Sequence, residues 1–169
     1  MTEKTYAVLF LSQRNSARSL LAEAILNSLG RGRFRAFSAG VKPAEKVDPI
    51  VIELLKHAGL DTAHLRPKHY SEFAQENSVP LDFVFTLSDT AAGEPKPEWP
   101  GTPVTAHWPS TDPTLTADEV ERRLALIRTR AELERRLAIF LNLPFASLDR
   151  MSMQKHVEDI GAKPDANAD

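Results

Sequence analysis

Residues 7–19 read Ala-Val-Leu-Phe-Leu-Ser-Gln-Arg-Asn-Ser-Ala-Arg-Ser and join an apolar run to a helical pattern. The run from Tyr6 to Leu11 has the length and composition of a strand that is buried on both faces of a sheet. From Arg18 onward, apolar residues recur at helical spacing until Gly30 and Gly32 end the pattern. The stretch therefore predicts a strand, a short loop and a helix, in that order.

The loop between the predicted strand and the predicted helix is a candidate anion site. Backbone N–H groups at the first turn of a helix lack helical partners, and here they point into one cup that attracts a phosphate-like anion. The guanidinium of Arg18 adds a planar fork of donors that matches two oxygens of a tetrahedral oxyanion. The predicted lining of the cup is Gln13, Arg14, Asn15, Ser16, Ala17 and Arg18.

This loop resembles that of the low-molecular-weight protein tyrosine phosphatases and the related thioredoxin-coupled arsenate reductases, which reads Cys-x-Gly-Asn-x-x-Arg-Ser. Asn15, Arg18 and Ser19 match that pattern, whereas Ser12 stands at the cysteine position and Arg14 at the glycine position. The resemblance implies that Ser12 occupies the site of the nucleophile and that Ser19 is the residue supporting it. Whether the Arg14 side chain blocks the cup or lines it stays open.

A second resemblance follows the predicted third strand, Leu81–Leu87. Residues 86–101 are similar to the arsenate reductase segment Thr-x-Cys-Asp-x-Ala-x-x-x-x-Cys-Pro-x-Trp-Pro-Gly. In that family the two cysteines relay the disulfide that regenerates the enzyme. Ser88 and Lys96 stand at these relay positions, so the resemblance implies a reductase ancestor whose three thiols are all missing.

A third matching segment follows the predicted fourth strand, Pro103–Trp108. It reads Trp-Pro-Ser-Thr-Asp-Pro over residues 108–113. The family places its general acid in an Asp-Pro loop, so the resemblance implies that Asp112 would protonate a leaving oxygen across the cup. An aspartate before proline is equally typical of a turn or a helix entry.

The composition limits the number of domains and the classes of protein to which the chain can belong. One hundred and sixty-nine residues suit a single domain, predicted over residues 1–161. With 21 basic and 23 acidic residues mixed along the chain, no basic face indicates nucleic acid binding. No apolar run is long enough to span a membrane and no signal peptide is evident, so a cytoplasmic location is expected.

The chain has no cysteine, which excludes disulfides, thiolate metal sites and thiol catalysis. His57, His64, His69 and His156 have no ligand spacing, so we expect neither a metal ion nor a cofactor.

The remaining strand and helices are predicted from helix-capping residues and from the spacing of apolar residues. Residues 33–40 predict a second strand, and Asp48-Pro49 opens a helix that Gly59 ends. A capping-box pattern at Thr116–Glu119 predicts a long helix, whose arginines are assigned to its solvated outer face. The apolar face predicted for this helix is Val120, Leu124, Ile127, Ala131, Leu133, Leu137 and Phe140.

A last helix is expected over Leu148–Ile160, with Gly161 as its stop and a disordered tail over residues 162–169. The predicted fold is a single α/β domain, a three-layer sandwich in which a four-stranded parallel sheet has helices on both faces. The cup lies at the carboxyl end of the first strand. The strand order 2-1-3-4 is what the resemblance implies.

The missing cysteine leaves several functions open. Because a serine hydroxyl is a far weaker acid than a thiol, we expect catalysis to be lost, while backbone amides and Arg18 still bind phosphate, arsenate or sulfate. Such a protein would be a pseudoenzyme. The alternatives are an enzyme that uses Ser12 as its nucleophile, an engineered cysteine-free reductase or phosphatase, and a domain that acts through another surface. The oligomeric state stays open.

Overall fold

The computed structural model describes residues 4–162. The strands are β1 (Tyr6–Ser12), β2 (Phe34–Gly40), β3 (Phe83–Thr86) and β4 (Val104–His107). The α-helices are α1 (Arg18–Leu29), α2 (Pro49–His57), α3 (Asp89–Gly93), α4 (Glu119–Leu141) and α5 (Arg150–Ala162). Two short 3₁₀ turns cover Tyr70–Phe73 and Phe145–Ser147.

The four strands form one parallel sheet in the order β2-β1-β3-β4, which confirms the predicted fold class and strand order. β1 lies between β2 and β3, so both of its faces and both of its edges are covered. This position explains its continuous apolar composition, since a central parallel strand meets water on neither face. The carboxyl end of β1 leads directly into the loop before α1.

Helical elements pack on both faces of the sheet, but unequally. One face carries the larger core, to which α1, α2, α4 and α5 all contribute buried side chains. The other face carries a smaller cluster built with Phe73, Ala91 and Trp99, which belong to a 3₁₀ turn, to α3 and to a loop. The short α3 was not predicted from the sequence.

An aromatic cluster in the larger core fixes the chain where β4 ends. The ring of Trp108 stacks on that of Phe85 with the ring centroids 4.1 Å apart. Its indole Nε1–H donates to the carbonyl of Val157 in α5, at 2.9 Å. Phe140 of α4 packs edge-on against the rings of both Phe85 and Trp108. The packing and the hydrogen bond of Trp108 therefore hold in place the start of the loop that follows it.

Side chains bond to the free backbone groups of the two outer strands. On β2, Asn27 of α1 accepts from the N–H of Ala36 at 2.8 Å and donates to its carbonyl at 3.1 Å. On the β4 side, Gln154 of α5 donates to a carbonyl within the strand, and Arg150 of α5 donates to the two carbonyls just before it. These acceptors are Thr102, Pro103 and Thr105.

The predicted apolar face of α4 is partly wrong. Leu133, Leu137 and Phe140 are buried as predicted. Val120, Leu124 and Ile127 are exposed, and the helix buries Leu126, Thr129 and Arg136 in addition. The helix carries two apolar stripes, and the sequence pattern merged them into one. The assignment of all arginines to solvent is also wrong, because the guanidinium of Arg136 is buried and donates to the carbonyl of Pro109 at 3.0 Å.

The other boundaries differ by a few residues. The N-cap of α4 is Asp118, whose carboxylate accepts from the N–H of Glu121 at 2.9 Å, so the capping begins two residues after Thr116. Gly161 does not end α5, since it lies inside the helix against the carbonyl of His107, where a Cβ atom would not fit. The rest of the predicted tail, residues 163–169, lies outside the described residues. None of the helices within residues 4–162 is long and apolar enough to cross a membrane.

Candidate functional site

The loop between β1 and α1 is held from outside by the segment that follows β2. Four loop carbonyls accept hydrogen bonds from backbone N–H groups of residues 41–48. They are Ser12 from Val41 (3.2 Å), Gln13 from Lys42 (2.8 Å), Arg14 from Ala44 (2.9 Å) and Ser16 from Asp48 (3.0 Å). The carbonyl oxygens of the loop therefore point away from its interior.

This arrangement sets the direction of the loop amides. In a trans peptide the C=O and the following N–H point in opposite directions, and the described residues contain no cis peptide bond. The N–H groups of Gln13, Arg14, Asn15 and Ala17 consequently point to the side opposite residues 41–48. Asn15 shows which side this is, because its N–H donates to the side-chain oxygen of Ser12 at 3.2 Å. Of the other three N–H groups, none donates to a group within residues 4–162.

Asn15 holds the loop in shape. It is fully buried and has a φ of 50°, a left-handed conformation that asparagine tolerates better than most residues. Its side-chain Oδ1 accepts from the N–H of Lys68 at 3.0 Å, and its Nδ2 donates to the Oγ of Ser19 at 2.7 Å. Gly40 lies against it so closely that an added Cβ would come within 3.0 Å of the Asn15 Cβ.

Ser12 and Ser19 form a buried pair with their Oγ atoms 2.7 Å apart. Because the Asn15 side chain already donates to Ser19, the Ser19 hydroxyl hydrogen is free to point at Ser12. In that arrangement Ser12 accepts two hydrogen bonds, one from Ser19 and one from the N–H of Asn15. Within residues 4–162, no carboxylate or imidazole bonds to Ser12, so its hydroxyl has no adjacent base.

Arg18 lies at the first position of α1 and is 8% exposed. Its Nη1 donates to the carbonyl of Ser110 at 2.8 Å, and its Nη2 lies 3.9 Å from the carboxylate of Asp112. Burial lowers the pKa of the Arg18 guanidinium, while the carboxylates of Asp112 and then Asp89 oppose this change. The guanidinium is thus held between the cup and the loop after β4.

Asp112 forms the turn that is one of the two alternatives for this residue, and it also lies near Arg18. Its Oδ1 accepts from the N–H and the hydroxyl of Thr114, at 2.9 and 2.6 Å, as in an Asx turn. Its Oδ2 faces Arg18 across the cup. The turn therefore orients the carboxylate toward Arg18.

Arg18 and Asp112 line an open cavity of about 450 Å³. Its lining is Gln13, Arg18, Ser88, Asp89, Thr90, Pro109, Ser110, Thr111, Asp112 and Leu115. Of the residues predicted to line the cup, Gln13 and Arg18 line this cavity, whereas Arg14, Asn15, Ser16 and Ala17 do not. Arg14 is exposed. Its φ is not positive, whereas that of Asn15 is, so a side chain at position 14 needs no strained backbone. The Arg14 side chain therefore lies outside the wall of this cavity.

Ser88 and Lys96, at the two relay positions, cap the two ends of α3. The Ser88 hydroxyl accepts from the N–H of Ala91 at 3.1 Å. The Lys96 ammonium donates to the carbonyls of Ala92 and Glu94 at 2.9 and 2.8 Å. Burial lowers the pKa of Lys96, an effect that Glu94 opposes. Both side chains are thus engaged in helix capping.

Sequence reasoning missed a buried cluster behind the loop. The Glu23 carboxylate accepts from the hydroxyl of Ser38 at 2.6 Å and lies 3.8 Å from the ammonium of Lys68 and 3.3 Å from the imidazole of His64. Burial lowers the pKa of Lys68, which Glu23 opposes. The one available signal was an acid at position 23, within the apolar face of the first helix. No cluster of three metal-ligating residues occurs in the described part of the chain.

Three comparisons place the chain among known proteins. The sequence model of the low molecular weight phosphotyrosine protein phosphatase family matches residues 7–153. A glutaredoxin arsenate reductase from Synechocystis sp. is 30% identical over 115 residues, which cover 68% of this chain and 84% of that protein. The crystal structure of an arsenate reductase from Archaeoglobus fulgidus is 28% identical, with a TM-score of 0.58, and covers 78% of this chain and 98% of that one.

A further structural neighbour is an arsenate reductase in the phosphate binding state. It has a TM-score of 0.61 and an identity of 24%, and the match covers 79% of this chain and 98% of that one. The family match spans far more than half of the sequence and takes in the strand, the loop, the helix and the Asp-Pro segment described above. This chain therefore belongs to the low molecular weight phosphotyrosine protein phosphatase family.

Proposed function

We propose that this protein binds a tetrahedral oxyanion in the cup of residues 12–19 and does not turn it over. The observation that carries the proposal is the orientation of the loop peptides. Four carbonyls bond outward, and the amides of Gln13, Arg14 and Ala17 have no hydrogen-bond acceptor among residues 4–162 on the side of Ser12. Several N–H groups aimed at one point at the start of a helix favour an anion there.

Arg18 supplies the charge for this site. Its guanidinium is buried at the edge of the same cup, where fewer water molecules screen its interaction with an anion. A planar guanidinium can bond to two oxygens of phosphate, arsenate or sulfate at once. None of the residues that line the described cavity is aromatic, which favours a small inorganic anion over a phosphorylated tyrosine side chain.

The loss of turnover rests on Ser12. Covalent catalysis by a hydroxyl needs a neighbouring base, and the partners of Ser12 are another hydroxyl and a backbone N–H. This argument also counts against the alternative of an enzyme that uses Ser12 as its nucleophile. A disulfide relay is excluded in turn, because the chain contains no cysteine.

Thermal unfolding with added anions tests the proposal. Phosphate at about 100 times its dissociation constant should raise the melting temperature by about 5 °C or more, because a ligand that binds only the folded state stabilises it. Arsenate and sulfate are measured in parallel, and sodium chloride at equal ionic strength is the reference. Arg18→Ala should abolish the shift.

Arg14→Ala is the matched control, since it removes an exposed arginine from the same loop without changing the cavity lining. It should leave the phosphate shift almost unchanged. The proposal would be refuted by a sodium chloride shift as large as that with phosphate, or by an undiminished phosphate shift in Arg18→Ala.

Asp112→Asn should tighten phosphate binding. The Asp112 carboxylate lies 3.9 Å from Arg18 and competes with an incoming anion for that charge. Asparagine keeps the acceptor for Thr114 but removes the negative charge, so the dissociation constant should fall about threefold to tenfold. Isothermal titration calorimetry measures the change. Asp89→Asn, which removes a largely exposed carboxylate, should have a smaller effect. Weaker phosphate binding by Asp112→Asn would contradict this account.

A further inference from the structure

Arg136 of α4 bonds to the loop that forms one wall of the cavity beside Arg18. Arg136 is 9% exposed, and its Nη1 donates to the carbonyl of Pro109 at 3.0 Å. Its guanidinium is not part of the cavity lining. The loop supplies half of that lining, namely Pro109, Ser110, Thr111, Asp112 and Leu115.

Three hydrogen bonds hold this loop at its first two residues. The N–H of Ser110 donates to the carbonyl of Leu87, just after β3, at 3.0 Å. The carbonyl of Ser110 accepts from Nη1 of Arg18 at 2.8 Å, and the preceding carbonyl, that of Pro109, accepts from Arg136. Two consecutive carbonyls of the loop are thus held by arginines from two different helices, α1 and α4.

The core alone does not call for an arginine at position 136. Burying a charged side chain costs free energy, and a well-packed apolar side chain of similar volume often gives equal or greater stability. Glu132, one turn earlier on α4, lies 3.3 Å from the same Nη1 and so pairs with the charge. What an arginine supplies here, and an apolar side chain does not, is a donor to the carbonyl of Pro109.

We propose that Arg136 is a positioning residue for the anion site. It fixes the carbonyl of Pro109, and the peptide that joins Pro109 to Ser110 keeps the next carbonyl where Arg18 donates to it. That bond holds the Arg18 guanidinium in place before an anion arrives, which lowers the cost of ordering it on binding. The inference rests on the proposed function, because it concerns the same site.

Hydrogen exchange of the Ser110 amide tests the positioning role without any ligand. Arg136→Met should speed this exchange at least about fivefold, because a loop amide exchanges through local openings and the loop has lost one of its bonds. Leu133→Ala is the control on the same helix. It removes a fully buried side chain and lowers the stability of the core, but it leaves the donor to Pro109 in place. It should change the exchange of Ser110 by less than about twofold.

Phosphate affinity, measured by isothermal titration calorimetry, tests the effect on the site. Asp112→Asn is the background, because a moving loop would also change how the Asp112 carboxylate competes for Arg18. In that background, Arg136→Met together with Glu132→Gln should raise the dissociation constant about threefold to tenfold. This pair of changes keeps the net charge constant, so long-range attraction does not account for the loss. Leu133→Ala should change the dissociation constant by less than about twofold.

The outcomes distinguish this proposal from the proposed function. Faster exchange of Ser110 in Arg136→Met, with no phosphate binding even by the wild-type protein, would refute the proposed function and leave Arg136 as the residue that holds the loop. Phosphate binding by the wild-type protein, with unchanged exchange or an unchanged dissociation constant on loss of Arg136, would overturn the positioning role. Equal effects of Leu133→Ala would overturn it as well. The variant that also carries Glu132→Gln leaves no unpaired carboxylate, and it serves for both measurements if Arg136→Met alone does not fold.

Discussion

Ser12→Cys is expected to give the protein measurable hydrolysis of an aryl phosphate, which the wild-type protein should lack. The cysteine thiol would lie at the start of α1 beside the hydroxyl of Ser19, with the loop amides and Arg18 close by. A helix N-terminus and hydrogen bonds lower the pKa of a thiol, so a nucleophilic thiolate becomes available near neutral pH. Steady-state hydrolysis by the two proteins gives the comparison.

The contribution of Asp112 is measured in the same background. Adding Asp112→Ala to Ser12→Cys should lower the rate roughly 10²- to 10⁴-fold, the range for loss of a general acid. Adding Arg14→Gly should change little, because the Arg14 side chain is exposed and its backbone is unstrained. Arsenate reduction with a thioredoxin system should stay absent in all of these variants, since Ser88 and Lys96 cannot carry a disulfide.

Two results would count against this description of the site. If Ser12→Cys is inert and yet still binds phosphate, the position of Asp112 or of the loop amides does not support catalysis. If the wild-type protein hydrolyses the substrate in proportion to its concentration and Arg18→Ala removes that activity, then Ser12 is a nucleophile after all.

Asn15→Ala should both destabilise the fold and abolish phosphate binding. The change leaves the buried N–H of Lys68 without its acceptor and removes the donor to Ser19. It also places alanine at a φ of 50°, which alanine adopts at a cost. Together these effects should lower the free energy of unfolding by roughly 2–5 kcal/mol, as measured by denaturant titration.

Two further variants separate the effect of the positive φ from the effect of the lost hydrogen bonds, and the loss of stability from the loss of phosphate binding. Asn15→Gly tolerates the positive φ but loses both side-chain hydrogen bonds, so its loss of stability should be smaller than that of alanine. Asn27→Ala removes another asparagine with two backbone contacts, which lies near the other end of α1 and bonds to β2. It should destabilise the protein yet preserve the phosphate shift. Unchanged phosphate binding in Asn15→Ala would show that Asn15 does not shape the cup.

The central strand and the first helix could be predicted from the sequence because local patterns determine them. A fully apolar β1 has only one place in a parallel sheet, between two other strands, and the structure confirms it there. The strand order itself came from the family resemblance and not from periodicity. The same resemblance singled out Ser12, Arg18 and Asp112. Arg18 and Asp112 line one cavity, and Ser12 is buried at the start of the same loop.

The errors in the sequence-based predictions arise from tertiary contacts, which a local sequence pattern does not reveal. In α4 the two apolar stripes overlap in the sequence, and only the packing decides that Leu126 and not Leu124 is buried. Arg136 resembles its solvated neighbours, but it is buried because the carbonyl of Pro109 accepts from it. The support of the loop by Lys68 comes from 53 residues away and leaves no local signal.

The side chains bonded to the outer strands limit how this sheet can meet another chain. A strand with free N–H and C=O groups is a template on which a second polypeptide can add, either as a bound peptide or in aggregation. Asn27 occupies both groups of Ala36 on β2, Gln154 occupies the carbonyl of Thr105 on β4, and Arg150 occupies the two carbonyls just before β4. These side chains oppose strand addition at those positions of the two sheet edges.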